Sequence, residues 1–137
     1  MAYADLDDGN ARGHFGDDDD LGSLNRLTPA VVQAAASDIV TGEVVSLNAP
    51  VDWIDPPLFA REAVQHTVFT TRLGNLDDRL DTFFPQASSQ WDHFLHIADP
   101  ELGHYNGLAP GTAGIDAWAA RGIAGRGVLV DADAWFA

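Results

Sequence analysis

A chain of 137 residues with 46% hydrophobic and 20% charged side chains is long enough for one folded core, and no run approaches the ~20 apolar residues of a membrane span. The balance of 21 acidic against 7 basic side chains leaves a net charge of −14, which repels phosphate backbones and anionic lipid, so neither nucleic acid nor a membrane is an expected partner. With no cysteine, disulfides, thiolate metal sites and a cysteine nucleophile are excluded.

Met1 to Asn10 carries acid where an export signal carries base, and it lacks the apolar stretch of such a signal, so the expected compartment is the cytoplasm. Residues 1–20 end in Asp17-Asp18-Asp19-Asp20, a self-repelling run that reads as a mobile acidic arm ahead of a domain over 21–137. Thr28 as cap, Pro29 in the first turn and Val31, Val32, Ala35, Ala36 and Ile39 at three-to-four spacing predict a helix ending before Gly42.

Glu43 to Asn48 reads as a short strand. Pro50, Pro56 and Pro57 forbid a helix in the loop after it, and Trp53, Leu58 and Phe59 are expected to tuck that loop against the body. Ala63 to Thr71, rich in β-branched and aromatic residues, predicts a second strand. Leu73 to Phe84 holds Asp77, Asp78 and Asp81 among turn-formers and reads as loop with one helical turn at most. Thr112 or Asp116 suits the cap of a short helix through Ile115 and Trp118 that stops at Gly122. The apolar run Val128-Leu129-Val130-Asp131 suits a strand buried on both faces. This order of elements predicts a mixed α/β or α+β domain.

Gln86 to His96 carries the chemistry. Under a period of two, Gln86, Ser88, Gln90, Asp92, Phe94 and His96 share one face, and Trp91 and Leu95 on the other would bury, so the polar row points into a cleft. Gln90 and Asp92 lie ~6.6 Å apart along an ideal strand and can converge on one ion, whereas Asp92 and His96 lie ~13 Å apart and need a bend between them. With that bend, Asp92 is a hard oxygen ligand for a divalent cation and His96 the natural proton shuttle at neutral pH. The same pattern also suits a polar edge strand with a hydrogen-bonded Asp and surface His.

This stretch resembles the metal motif of the cyclase family, which includes kynurenine formamidase and isatin hydrolase, with the pattern His-x-Gly-Thr-His-x-Asp-x-x-x-His. Gln86 and Gln90 fall on its two metal-binding histidines, Ser88 and Ser89 on Gly-Thr, Asp92 on the ligand aspartate and His96 on the catalytic histidine. The blocks Asp20 to Pro29, Tyr105-Asn106-Gly107 and Gly122 to Asp131 resemble family segments in the same order, so the likeness extends over residues 14 to 135. It implies a swivelling β/β/α-type domain of which this chain is the N-terminal half, in a branch with Gln at both histidine positions.

What the resemblance implies for activity is metal-assisted hydrolysis of an aryl formamide or cyclic amide, as in the conversion of tryptophan to kynurenine. Asp92, Gln90 and Gln86 would hold Mn²⁺ or Zn²⁺, His96 would move the proton, and Trp91, Phe94 and His104 would face the substrate. A neutral Gln oxygen is a weaker ligand than imidazole for Zn²⁺, which shifts preference toward harder ions. The second reading is a truncated or degenerate, non-catalytic member that pairs an open sheet edge with another copy, as a homo-oligomer, or binds a small molecule. Gly122-x-x-Gly125-x-Gly127 precedes a strand where a dinucleotide loop follows one, so it is not a nucleotide site. His104, in a turn sequence, also suits a plain surface role. Ser88 and Ser89 lack the elbow of a serine nucleophile.

Overall fold

The computed structural model describes Leu6 and residues 9–137. Its elements are three short helices, α1 (Pro29–Ala35), α2 (Ile115–Arg121) and α3 (Ala132–Phe136), and two strands, β1 (Gln65–Thr70) and β2 (Leu76–Asp81), with single 3-10 turns between them. Short helices together with a small antiparallel sheet make an α+β fold, in line with the sequence reading. Contacts divide the chain into two units, Met1–Glu43 with His93–Ala137, and Val44–Asp92. Among the described residues no helix is long and apolar enough to cross a membrane.

In the first unit, α1 starts as its sequence dictates. The Thr28 hydroxyl accepts the Val31 N–H at 3.3 Å and Pro29 occupies the first turn. Its apolar stripe is only half covered, however, with Val32 and Ala35 half-buried and Val31 and Ile39 exposed. The buried centre of this unit is aromatic. Trp118 on α2 packs edge-on against Phe94, with centroids 5.2 Å apart, and against His93 at 5.4 Å, while Phe94 meets Tyr105 at 4.4 Å. Gly22 lies against this cluster with φ +56°, and a Cβ there would overlap the Phe94 ring. Both the backbone angle and the close approach therefore require glycine.

The stretch read as a mobile acidic arm is tied down in its described part. Asp20 O accepts from the Trp118 indole N–H at 3.0 Å and lies 3.1 Å from His93 Nε2. Asn106, itself at φ +52°, accepts the Gly13 N–H through its side-chain oxygen at 2.8 Å, and its amide donates to Gly16 O and Asp19 O. The Arg12 guanidinium donates to Leu102 O.

Asp19 is the charged member of this arrangement. Burial works against its charge, yet the Gly22 N–H, the Asn25 amide, the Tyr105 phenol and the Leu21 N–H outweigh it and hold the carboxyl below its ordinary 3.8. Burial first, then the hydrogen bond to Asp19 and its charge, push the Tyr105 phenol up to about 12. A lowered carboxylate stabilises the fold above its unfolded value, and that contribution is lost as pH falls below 3.8. A raised phenol gives the opposite limb, with stability lost as pH rises from 10 toward about 12. Tyr105→Phe is expected to flatten the alkaline limb and Asp19→Asn the acid one, read from urea midpoints across pH. Unchanged limbs in both variants would refute the coupling.

Several expected elements differ. Helix α2 begins at Gly114, not at a side-chain cap, because the Thr112 hydroxyl is spent on Ala109 O at 2.7 Å and Asp116 lies inside the first turn. Gly122 does end it, at φ +73°. Val128-Leu129-Val130, expected to be a strand buried on both faces, is about four-fifths exposed and carries no ladder among the described residues. Glu43 to Asn48 likewise forms no ladder, its Glu43 and Asn48 N–H groups turning to the nearby Thr41 and Ser46 hydroxyls.

In the second unit, β1 and β2 pair antiparallel with Gln65 opposite Asp81 and Thr70 opposite Leu76. Strand β2 replaces the loop expected there. The Asp-rich stretch alternates Leu76, Asp78, Leu80 against Asp77, Arg79, Asp81, and Gly74 at φ +82° with the Thr71 N–H to Asn75 O bond closes the hairpin. His66 and Asp78 meet across the strands at 2.8 Å. Trp53, Leu58 and Phe59, expected to tuck in, are exposed.

Candidate functional site

Gln86 to His96 is not a strand. Pro85 has no N–H to give a ladder and starts a single 3-10 turn, Pro85–Ala87. The two serines that follow then spend their hydroxyls on backbone. Ser88 Oγ donates to Pro50 O at 2.8 Å and Ser89 Oγ accepts the Ala49 N–H at 2.8 Å. These local bonds compete with any sheet ladder, so the even-numbered row of the sequence reading does not form.

The turn brings together three of the residues nevertheless. Gln86 Nε2 donates to Asp92 Oδ1 at 3.1 Å, and Gln90 Nε2 donates to Asp92 Oδ2 at the same distance. Gln86 and Asp92 are half-buried and Gln90 is exposed. A carboxylate only accepts hydrogen bonds, so each glutamine must offer its nitrogen to Asp92. The result is a carboxylate bracketed on both oxygens by neutral donors, which fixes its plane.

Trp91 lies in the same unit, and His96, Phe94 and His104 lie in the other. A turn follows Asp92 directly, closed by the His96 N–H to His93 O bond at 2.9 Å, and it places the exposed His96 at its end. Phe94 and His104 are brought together, with His104 Nδ1 lying 3.2 Å from Phe94 O. Both line a cavity of about 290 Å³ with Arg12, Ile97, Leu102 and Tyr105. The Phe94 ring is committed to the aromatic core, while Trp91 is exposed.

His93 is the residue that the sequence reading passed over. It is the buried polar side chain of the first unit, 7% exposed, with Nε2 toward Asp20 O and Nδ1 without a hydrogen-bond partner. The signal was present, since His93 alternates with Trp91 and Leu95 on the face expected to bury.

A divalent cation at this site would need oxygen or imidazole ligands turned inward. Asp92 offers a carboxylate, but both of its oxygens are engaged by amide N–H groups, and the glutamines present nitrogen at the point where a ligand oxygen would be required. Among the described residues no three His, Asp or Glu side chains cluster as a metal-holding group. The donors as arranged do not fit Mn²⁺ or Zn²⁺.

No protein-family model matches the chain, and neither does any curated protein. Among solved structures it is similar to one described as the crystal structure of a novel cyclase, with a TM-score of 0.64 and 31% sequence identity. The match covers 79% of this chain and 39% of that one, so the chain spans about two fifths of the length of the cyclase it resembles. Likeness in both sequence and fold, over four fifths of the chain, supports the cyclase family for this protein.

Proposed function

We propose that this chain carries part of a cyclase-type hydrolase site for an aryl formamide or a cyclic amide, the substrate class that arylformamidase-like members act on in tryptophan breakdown. The observation that supports it most is the convergence of Gln86, Gln90 and Asp92, three positions of one short motif, in a chain 31% identical to a cyclase. Asp92 is a carboxylate of fixed orientation, suited to accept the N–H of an amide substrate. His96 is the group that would move a proton to the leaving amine, and Trp91, Phe94 and His104 are the candidates for contact with an aromatic substrate. The donor set gives no reason to route a step through a metal ion.

The test is hydrolysis of N-formylkynurenine and of formanilide by the purified chain, followed by product absorbance. His96→Ala is expected to lower turnover by about 10²–10⁴, the usual contribution of a positioned acid or base. Rates equal to buffer for the unaltered chain reject catalysis by it.

A second reading rests on a different observation, the exposed apolar segments at Val44 to Leu47 and Val128 to Val130. Extended apolar backbone without a ladder is a template for another chain, so a non-catalytic, homo-oligomerising or small-molecule-binding role is the alternative. Sedimentation of the chain at several concentrations separates the two readings when set beside the hydrolysis assay.

A further inference from the structure

The bracketing of Asp92 has a chemical consequence. Each carboxylate oxygen of Asp92 accepts from an amide, and the amide nitrogen, which cannot ligate a cation, is the atom of each glutamine within bonding distance of Asp92. An imidazole at either position would behave differently. It can donate from one ring nitrogen while the other keeps a lone pair for a metal, and both arrangements are open to it without breaking a bond to the aspartate. A glutamine that donates to the carboxylate keeps its acceptor oxygen on the same amide carbon, and that oxygen can meet an ion shared with Asp92 only when the amide turns over and its bond to Asp92 breaks.

We infer that Gln86 and Gln90 make this a cation-independent site, in which two amide donors occupy the place and the task of a metal ion, holding the Asp92 carboxylate in a fixed plane. The inference rests on the reading of Gln86, Gln90 and Asp92 as the site, but not on the hydrolytic activity, since metal content is measured without a substrate.

The experiment is titration of the purified chain with MnCl₂ and with ZnCl₂ by calorimetry, with elemental analysis after dialysis, for four proteins: the unaltered chain, Asp92→Asn, and the Gln86→His/Gln90→His pair with and without Asp92→Asn. Circular dichroism confirms that each variant keeps the fold of the unaltered chain. The unaltered chain is expected to retain no stoichiometric ion, and weak uptake that survives Asp92→Asn belongs to its acidic surface and supports the inference. The double histidine variant is expected to bind Zn²⁺ at least ~100-fold more tightly than the unaltered chain, at the upper end of what supporting partners of a metal site alone command, and to lose that binding with Asp92→Asn. One Mn²⁺ or Zn²⁺ per unaltered chain, lost in Asp92→Asn, would overturn the inference. Failure of the folded double histidine variant to gain binding would overturn it as well, because the glutamines would then not be what decides.

Discussion

Replacing Trp118 by alanine is expected to abolish the fixed packing of the unit formed by Met1–Glu43 and His93–Ala137. Trp118 is 9% exposed, one of two buried hydrophobic residues among those described, and its ring touches both Phe94 and His93. Its indole N–H also anchors Asp20 O at 3.0 Å, and so holds the acidic stretch against the aromatic cluster. Truncating a buried tryptophan costs about 3–5 kcal/mol, and domains of this size have only about 5–15 kcal/mol in total. Near-UV circular dichroism of Trp118→Ala should be flat at neutral pH.

Trp118→Phe separates the two contributions, because it keeps an aromatic ring in place and deletes only the N–H. Its expected cost is about 1–3 kcal/mol, dominated by the half-buried Asp20 carbonyl left with His93 as its remaining partner. A urea midpoint for Trp118→Ala equal to that of the unaltered chain would show that the aromatic cluster is not what stabilises this unit.

The signals legible in the sequence were local ones. The α1 start was legible because Thr28 and Pro29 act within one turn, and the ends of β1 fell within two residues of the expected ones. β2 was missed because three aspartates outweighed a Leu-Asp-Asp-Arg-Leu-Asp alternation. Its sheet position comes from pairing with β1, which no local propensity records. Gln86, Gln90 and Asp92 were grouped by the family resemblance, and their hydrogen-bonded geometry was not legible in the sequence. Spacing along a strand placed Gln90 beside Asp92, while the actual convergence comes from a proline-initiated turn and two serine hydroxyls bonded to residues 49 and 50. The segments expected to be buried strands were apolar enough, but burial needs a covering surface as well as an apolar segment.

That missing cover leads to the second large expected effect: the isolated chain will bind a hydrophobic dye strongly in its native buffer and associate as its concentration rises. The accessible surface is 11103 Å², against roughly 6,900 Å² for a single folded body of this mass and about 8,300 Å² even if the two units are counted as separate folded bodies. The difference is of the same order as the surface buried in large obligate interfaces, about 2,000–5,000 Å². Much of it is apolar, with Val44 at 93% and Leu129 at 85% exposed, along with Leu47, Val128, Trp135 and Phe136. A net charge of −14 opposes association at low salt, and screening removes that opposition, so sedimentation should show larger species at 0.5 M salt than at 0.02 M. Val128→Lys with Leu129→Lys is expected to lower both dye binding and the salt-induced association, because these two side chains have no core contact to lose. A chain that stays monomeric at every salt and takes up no dye would mean that the exposed segments fold back on themselves in solution, and would remove the physical basis for an associating role.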